Sequence, residues 1–387
     1  LNKIYIQKWL LCKNVIFKTF LKFYICDIIH KIMSGIIRFA PSPTGYLHEG
    51  HLLSALYVWA AAKKWDLKVH LRIEDHDQSR ARPAYIAGIR EDLAWLGFHY
   101  DSESIQSARS SVYEAALRKL EAKSLVYPCY CSRKQLQEEN PKSETGEIVY
   151  QGKCFRRKNA ATRLQTKDER QVSRSEADDR IHEIQNIMDP IAELQGDKSN
   201  LLLGDRLRQK TIDERQKIGD SYSEAEMTEE RPHSLRFIVP DKVIDWHDLR
   251  LGDFHENPKL QCGDFPIRDR ENQWTYQFAV CVDDIDENIT HIVRGEDIRN
   301  STARQIALME ALGRTKLPIY LHHPLIFDTN NKKLSKRELA HSLRQDKEAG
   351  ITPEMLFGRV SHKAHLTEND SPISLNDAIF ITMKSIP

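Results

Sequence analysis

Two histidines three residues apart, His48 and His51, close the most informative stretch of the chain, Arg38-Phe39-Ala40-Pro41-Ser42-Pro43-Thr44-Gly45-Tyr46-Leu47-His48-Glu49-Gly50-His51. At the start of a helix that spacing turns both rings the same way. A strand that feeds a loop and then a helix N-terminus is a natural anion site, because unpaired N–H groups and the helix dipole favour phosphate. Two imidazoles placed there can donate hydrogen bonds to phosphate oxygens as charge develops in a transition state. Gly50 between them lets a flat base lie against backbone. The plainer alternative is a pair of surface histidines beside a turn. Far downstream, Lys332-Lys333-Leu334-Ser335-Lys336-Arg337 forms a short basic run. Its serine and lysines can hold a triphosphate and stabilise departing pyrophosphate, although lysine clusters are more often solvated surface.

A second constellation is Cys129, Cys131, Tyr150 and Cys154, spaced as C-x-C, a long gap, then Y-x3-C. Three thiolates and one oxygen or nitrogen donor can close a tetrahedral zinc site. Structural zinc knuckles more often use wider cysteine pairs, so simple thiols stay open as the alternative.

The elements that must carry these groups alternate. Ile36 to Ala40 reads as a strand ended by the proline-rich loop, and Leu52, Ala55, Leu56 and Trp59 share one face at helical spacing. Val69, Leu71 and Ile73 alternate with polar residues as a strand does. A helix from about Pro83 to Leu96 has proline in its first turn, Ile86, Ile89, Leu93 and Leu96 as its buried stripe, and Gly97 as its stop. Alternating strands and helices imply an α/β domain with a parallel sheet. The alternation breaks between about Phe155 and Arg231, which is crowded with charge and nearly without aromatics. It reads as a solvated, disordered insertion in which Ile181, Ile184, Met188, Ile191 and Leu194 could line one amphipathic helix. The α/β pattern resumes near Leu235 and runs to about Phe327.

The chain has 387 residues, 40% hydrophobic and 29% charged, enough for one large domain or two smaller ones. A net charge of +1 gives no global attraction to nucleic acid, so any RNA contact must come from a local basic patch. Seven cysteines, an odd number with only three clustered, argue against a disulfide framework and for a reducing cytoplasm. Residues 1–32 are rich in Ile, Phe, Tyr and Lys, with Asp27 the only acid. Lysines interrupt each apolar run before a spanning length of about 18–20 residues. A small-residue cleavage site and the arginines of a transit peptide are both missing. The stretch reads as a non-native or disordered extension, with a membrane-surface helix as the alternative.

Taken together and in this order, His48-Glu49-Gly50-His51 and Lys333-Leu334-Ser335-Lys336-Arg337 resemble the HIGH and KMSKS motifs of class I aminoacyl-tRNA synthetases. Arg38 to Gly45, Leu71-Arg72-Ile73-Glu74-Asp75, Tyr276 ahead of Val282-Asp283-Asp284, and Val293-Arg294-Gly295-Glu296-Asp297 are similar to the glutamyl branch. The similarity runs from about Gly35 to Cys154 and from about Leu235 to Arg337. It implies a Rossmann-like parallel-sheet catalytic domain carrying an inserted zinc-binding, acceptor-binding-like subdomain. The expected division is a first catalytic half over 33–127, a zinc-binding insertion over 128–155, the charged insertion over 156–231, a second catalytic half over 232–340, and a short tail over 341–387.

The resemblance also assigns roles. His48, His51 and Lys336 would be catalytic. Pro43, Gly45, Gly50, Lys333 and Ser335 would join them around ATP, with Mg2+ arriving on the nucleotide. L-glutamate would sit among Arg38, Phe39, Ala40, Pro41, Ser42, Glu74, Tyr276 and Arg294. The chemistry of the substrate agrees: two carboxylates need cationic anchors, which Arg38 and Arg294 can supply, and Glu74 can take the ammonium. Tyr276 could close the pocket with its hydroxyl. In the glutamyl-queuosine branch Cys129, Cys131, Tyr150 and Cys154 would hold one structural Zn2+, although the gap between Cys131 and Tyr150 is longer here.

Fifty residues follow Arg337 (387 less 337), too few for the helical region that reads an anticodon. The expected activity is therefore that branch's: glutamyl-adenylate formed without tRNA, then transfer of glutamate to the queuosine base of tRNA(Asp). A compact or truncated enzyme charging tRNA(Glu), and a catalytically silent paralogue binding tRNA or adenylate, remain as alternatives; Glu49 inside the histidine motif keeps the second open. Nothing in the sequence asks for more than a monomer.

Overall fold

The computed structural model of the protein describes residues 35–156, 232–326 and 341–387. The extension over 1–32, the expected helix around Ile181 to Leu194 and the Lys332–Arg337 loop all lie outside the described residues. Among the described residues the chain forms two compact units. The larger takes residues up to Leu125, Val239–Leu260 and Gln273 onward; the smaller takes Val126–Ile238 and Gln261–Asn272.

The larger unit is built on strands β1 (Ile36–Phe39), β2 (Lys68–Ile73) and β3 (Ser102–Ile105), with β6 (Ile244–Asp248), β7 (Gly252–Glu256), β9 (His291–Gly295) and β10 (Ile319–His323). The sheet order is β3-β2-β1-β9-β10-β6-β7. All pairs are parallel except the β6–β7 hairpin. Helix α1 (Glu49–Trp65) packs on β1 and β9. Its run of Leu, Ala and aromatic residues is buried almost throughout, and Asp66 ends it in the left-handed region at φ 52. Helix α2 (Pro83–Trp95) begins on proline and is stopped by Gly97 at φ +79. Its expected stripe is realised in Ile89, Leu93 and Leu96, which are buried, with Ile86 partly so. Helix α3 (Ser110–Ala122) completes the first half.

Three departures from the sequence reading have physical causes. Strand β2 does not alternate between core and water: His70 and Arg72 are buried along with Val69, Leu71 and Ile73. A parallel sheet covered on both faces buries both side-chain sets, and here the second set is charged and paired. The segment at Leu235 does not resume the parallel sheet. It lies in β5 (Ser234–Phe237), the middle of an antiparallel sheet in the smaller unit, between β4 (Val126–Cys129) and β8 (Phe265–Arg268). That unit also holds the short helix α4 (Arg133–Glu139). Residues 261–272, expected within the second catalytic half, therefore belong to it.

The second half of the larger unit adds α5 (Tyr276–Asp286) and α6 (Thr302–Ala311). The stretch 341–387, expected only as a short tail, forms α7 (Leu343–Glu348), α8 (Pro353–Lys363) and α9 (Leu375–Ser385). Helices α8 and α9 pack on α1. Leu343, Leu356, Phe357, Val360, Ala378 and Ile379 enter the same core as Leu52, Leu56 and Phe98.

Candidate active site

Strand β1 delivers Arg38 and Phe39 and then opens into the loop that carries Ala40 to Leu47. The Phe39 ring packs edge-on to Trp59 at 5.6 Å between centroids, so Phe39 faces the core and only its main chain can meet a ligand. The loop is tied down by main-chain bonds from Glu74 N to Pro41 O at 3.1 Å and from Arg82 N to Pro43 O at 3.3 Å.

His48 is the N-cap of α1, and its Nδ1 accepts from Gly50 N at 3.1 Å. The His51 Nδ1 accepts in turn from His48 N at 3.2 Å, a reciprocal capping box made by two imidazoles. Because each Nδ1 accepts, the neutral rings carry their protons on Nε2. The rings lie 3.9 Å apart between centroids. A Cβ on Gly50 would sit 2.9 Å from the His48 ring, so glycine is what lets that ring fold back over the helix start. Glu49 points elsewhere, to Arg359 and Lys363 on α8.

Arg38, Glu74 and Arg294 are buried side chains of this unit and Tyr276 is partly buried, its hydroxyl feeling the charge of all three. Burial raises the Glu74 carboxyl to about 7, a rise that Arg72 and Arg38 oppose without reversing. Burial also raises the Tyr276 hydroxyl to about 12, with the Glu74 charge adding to the effect. Arg38 donates through Nε to Asp284 at 3.1 Å and through Nη1 to the Val293 carbonyl at 3.3 Å.

Arg294 is held by strand register. β9 and β10 pair Arg294 with His322, so the two side chains meet on one face. Arg294 Nε donates to His322 Nε2 at 2.9 Å, Nη1 to Gln305 at 2.7 Å and Nη2 to Thr302 at 2.8 Å. These three contacts leave two of the five guanidinium N–H groups for a ligand. His322 can accept only because its Nδ1 donates to Asp248 at 2.7 Å. The same Asp248 oxygen accepts from His322 N at 2.9 Å, which fixes the ring between carboxylate and guanidinium.

The largest group missed from sequence is Arg72, wholly buried at 0% exposure. Its Nη2 lies 2.6 Å from both Asp284 and Glu287, and its Nη1 stands 3.8 Å from Glu74. That Nη1 has no hydrogen-bond partner. The neighbouring Asp283 takes Gln106, Arg109 and Tyr113 at 2.7, 2.7 and 3.0 Å. The signal available for it was its place in Leu71-Arg72-Ile73-Glu74-Asp75, one position along the strand from two apolar neighbours. Lys333, Ser335 and Lys336 lie outside the described residues.

In the smaller unit Cys129, Cys131 and Cys154 bring their sulfurs within 4.8 Å of one another. Cys131 Sγ lies 3.6 Å from Cys154 Sγ, and the Tyr150 hydroxyl lies 3.4 Å from Cys129 and 3.7 Å from Cys131. Sulfurs about 2.3 Å from a central zinc would stand about 3.8 Å apart, so the donor set fits a tetrahedral ion. Hydrogen bonding from Cys131 lowers the Cys129 thiol, and the same contact raises Cys131. The long gap before Tyr150 is ordered: α4 is followed by a turn at Gly146 and a return past Ile148, paired with Lys142. Arg236 lies over the Tyr150 ring, 4.0 Å from its centroid. The five described cysteines are all free thiols. No helix among the described residues is long and apolar enough to cross a membrane.

The family described as "tRNA synthetases class I (E and Q), catalytic domain" matches residues 36–194 and 189–371. A glutamate–tRNA ligase of Trichodesmium erythraeum is 34% identical over 331 residues, which is 84% of this chain and 31% of that protein. A glutamyl-Q tRNA(Asp) synthetase of Symbiobacterium thermophilum is 31% identical over 354 residues, 88% of this chain and 90% of that protein. Another from Albidiferax ferrireducens is 33% identical over 316 residues, 79% of this chain and 85% of that one. Among solved structures, a glutamate tRNA ligase from Elizabethkingia meningosepticum aligns with a TM-score of 0.59 at 24% identity. It covers 89% of this chain and 64% of that one, a likeness of fold.

Proposed function

The chain belongs to the class I tRNA synthetases of the glutamate and glutamine branch, and from that membership we propose that it activates L-glutamate with ATP and transfers it to queuosine-bearing tRNA(Asp). One observation carries the reading most. Arg38, Arg294 and Glu74 all act on the Tyr276 hydroxyl, in a unit whose first helix opens on two histidines that accept main-chain hydrogen bonds through Nδ1. Two cations suit the two carboxylates of glutamate, and the Glu74 carboxylate suits its ammonium. Glutamine would leave an arginine charge without its partner.

The glutamate α-carboxylate attacks the α-phosphorus of ATP, giving glutamyl-adenylate and pyrophosphate. A hydroxyl on the modified base of the tRNA then attacks the activated carbonyl and releases AMP. The Nε2–H groups of His48 and His51 stabilise charge on the phosphates, with Lys336 and its neighbours completing the site and Mg2+ entering with ATP. Cys129, Cys131, Tyr150 and Cys154 would hold a zinc ion, which supplies a structural cross-link within the smaller unit. The free thiols are in keeping with work in the cytoplasm.

The choice of tRNA follows the relatives from Symbiobacterium and Albidiferax, 31% and 33% identical along most of this chain and each named glutamyl-Q tRNA(Asp) synthetase. The second reading, charging of tRNA(Glu), draws on the 34% identity to the Trichodesmium enzyme. Labelled glutamate, ATP and purified tRNA(Asp), with and without queuosine, beside tRNA(Glu), test both. Label only on queuosine-bearing tRNA(Asp) upholds the proposal, and label on tRNA(Glu) replaces it with the second reading. No ATP–pyrophosphate exchange at all would point to a silent paralogue.

A further inference from the structure

Glu49 sits between the two histidines, at the first position of α1, and is only 8% exposed. Such a carboxylate beside a phosphate site would repel the nucleotide unless its charge were cancelled. Lys363 Nζ hydrogen-bonds Glu49 Oε2 at 2.5 Å. Arg359 Nε lies 2.7 Å from Oε1 but off the hydrogen-bond line, so it contributes there as a charge. Both cations stand one turn apart on α8, and Arg359 reaches on to Asp346 of α7 at 2.7 Å. Main chain joins the same places: Leu343 N donates to Leu47 O at 2.8 Å, and His48 bridges Ser342.

We propose that Arg359 and Lys363 are positioning residues of the nucleotide site, acting through Glu49. They neutralise its carboxylate and hold the turn in which Gly50 N meets the His48 ring and His48 N meets the His51 ring. Helices α7 and α8 thereby take part in ATP binding without touching ATP. The inference rests on the reading of His48 and His51 as nucleotide ligands.

The test compares R359M/K363M with wild type and with the triple variant E49Q/R359M/K363M, each checked for a cooperative melt. In the double variant ATP affinity by calorimetry is expected to fall about tenfold, with the KM for glutamate within about twofold, because only the phosphate end is disturbed. Adding E49Q removes the uncompensated charge and is expected to recover most of the ATP affinity. Unchanged ATP binding in the double variant overturns the proposal. So does a loss that E49Q leaves in place, since that is what merely structural contacts would give. Should the double variant fail to melt cooperatively, K363M alone with K363R as its conservative control carries the same comparison. A wild type that binds no ATP would sink the functional reading instead. The positioning claim is then judged by amide exchange, which is expected to quicken at Gly50 and His51 in R359M/K363M and overturns the claim if it does not.

Discussion

The larger unit and the smaller one solve opposite electrostatic problems. In the larger unit the arginines assigned to glutamate are charged before any ligand arrives, and the protein balances them itself. Arg38 and Arg72 share one oxygen of Asp284, and Arg294 leans on neutral partners with Asp248 standing behind His322. In the smaller unit three thiols and a phenol converge with Arg236 as the nearby cation. A site for an anionic, multiply charged substrate must be preorganised, because reorienting buried charges on binding would cost more than the contacts return. A site for a metal can stay protonated until the ion displaces its protons. One site is therefore rigid by internal ion pairing; the other is completed by what it binds.

The contrast can be broken most forcefully at Arg72. Arg72→Ala leaves the buried Asp284 to Arg38 alone and takes from Glu287 its nearest cation, and is expected to cost about 3–5 kcal/mol of stability. Denaturant unfolding measures it, and a loss below about 1 kcal/mol would show that the network is not what holds the larger unit. Arg294→Lys keeps the charge but cannot match three fixed partners. The KM for glutamate is expected to rise by about 30- to 100-fold, corresponding to about 2–3 kcal/mol of charged hydrogen bonding. An unchanged KM would remove Arg294 from the glutamate pocket.

The smaller unit is tested at Gly263. Its φ is +63, and a Cβ there would fall 2.1 Å from the Tyr150 carbonyl oxygen. Gly263→Ala should displace Tyr150, cost about 1–3 kcal/mol in that unit alone, and lower bound zinc well below one per chain. Elemental analysis and limited proteolysis read both effects; full zinc content in the variant would exclude Tyr150 as a ligand. Wild-type protein with under a tenth of a zinc per chain would end the metal reading altogether.

The gentlest test is pH. The empty-site Glu74 carboxyl is raised to about 7, so ammonium binding should weaken as pH falls below that value, by up to about tenfold in KM per unit. Glu74→Gln should bind glutamate poorly at every pH and lose that slope. For stability the sign is the reverse. A raised carboxyl binds a proton better in the folded state, so its stabilising share is fully present below the ordinary carboxyl range and is lost as pH rises through 7. Glu74→Gln should accordingly gain on wild type above pH 7 in thermal melts without substrate. A KM flat from pH 6 to 8 would take Glu74 out of ammonium recognition.

Much of this was legible in residues alone, because the signals were local. Proline at the start of α2 and Gly97 at its end bound that helix whatever packs on it. The histidines of the first motif met because three residues is less than one helical turn. The order of strand and helix called for an α/β unit with a parallel sheet, and the class of the two motifs named its chemistry. The cysteine and tyrosine identities were visible as well.

Tertiary structure alone decided the rest, where partners lie far apart in the chain. Arg72 is buried because Asp284 and Glu287, more than two hundred residues later, arrive on its face of the sheet. His322 orients Arg294 through the β9–β10 register, which no local pattern encodes. Leu235 changed sheets because β4 and β8 offered it antiparallel neighbours. The stretch 341–387 resembled a tail because its apolar residues find their core on α1, not within themselves. Periodicity records which face of an element avoids water; which other element covers that face, and with what charge, is settled only when the chain closes on itself.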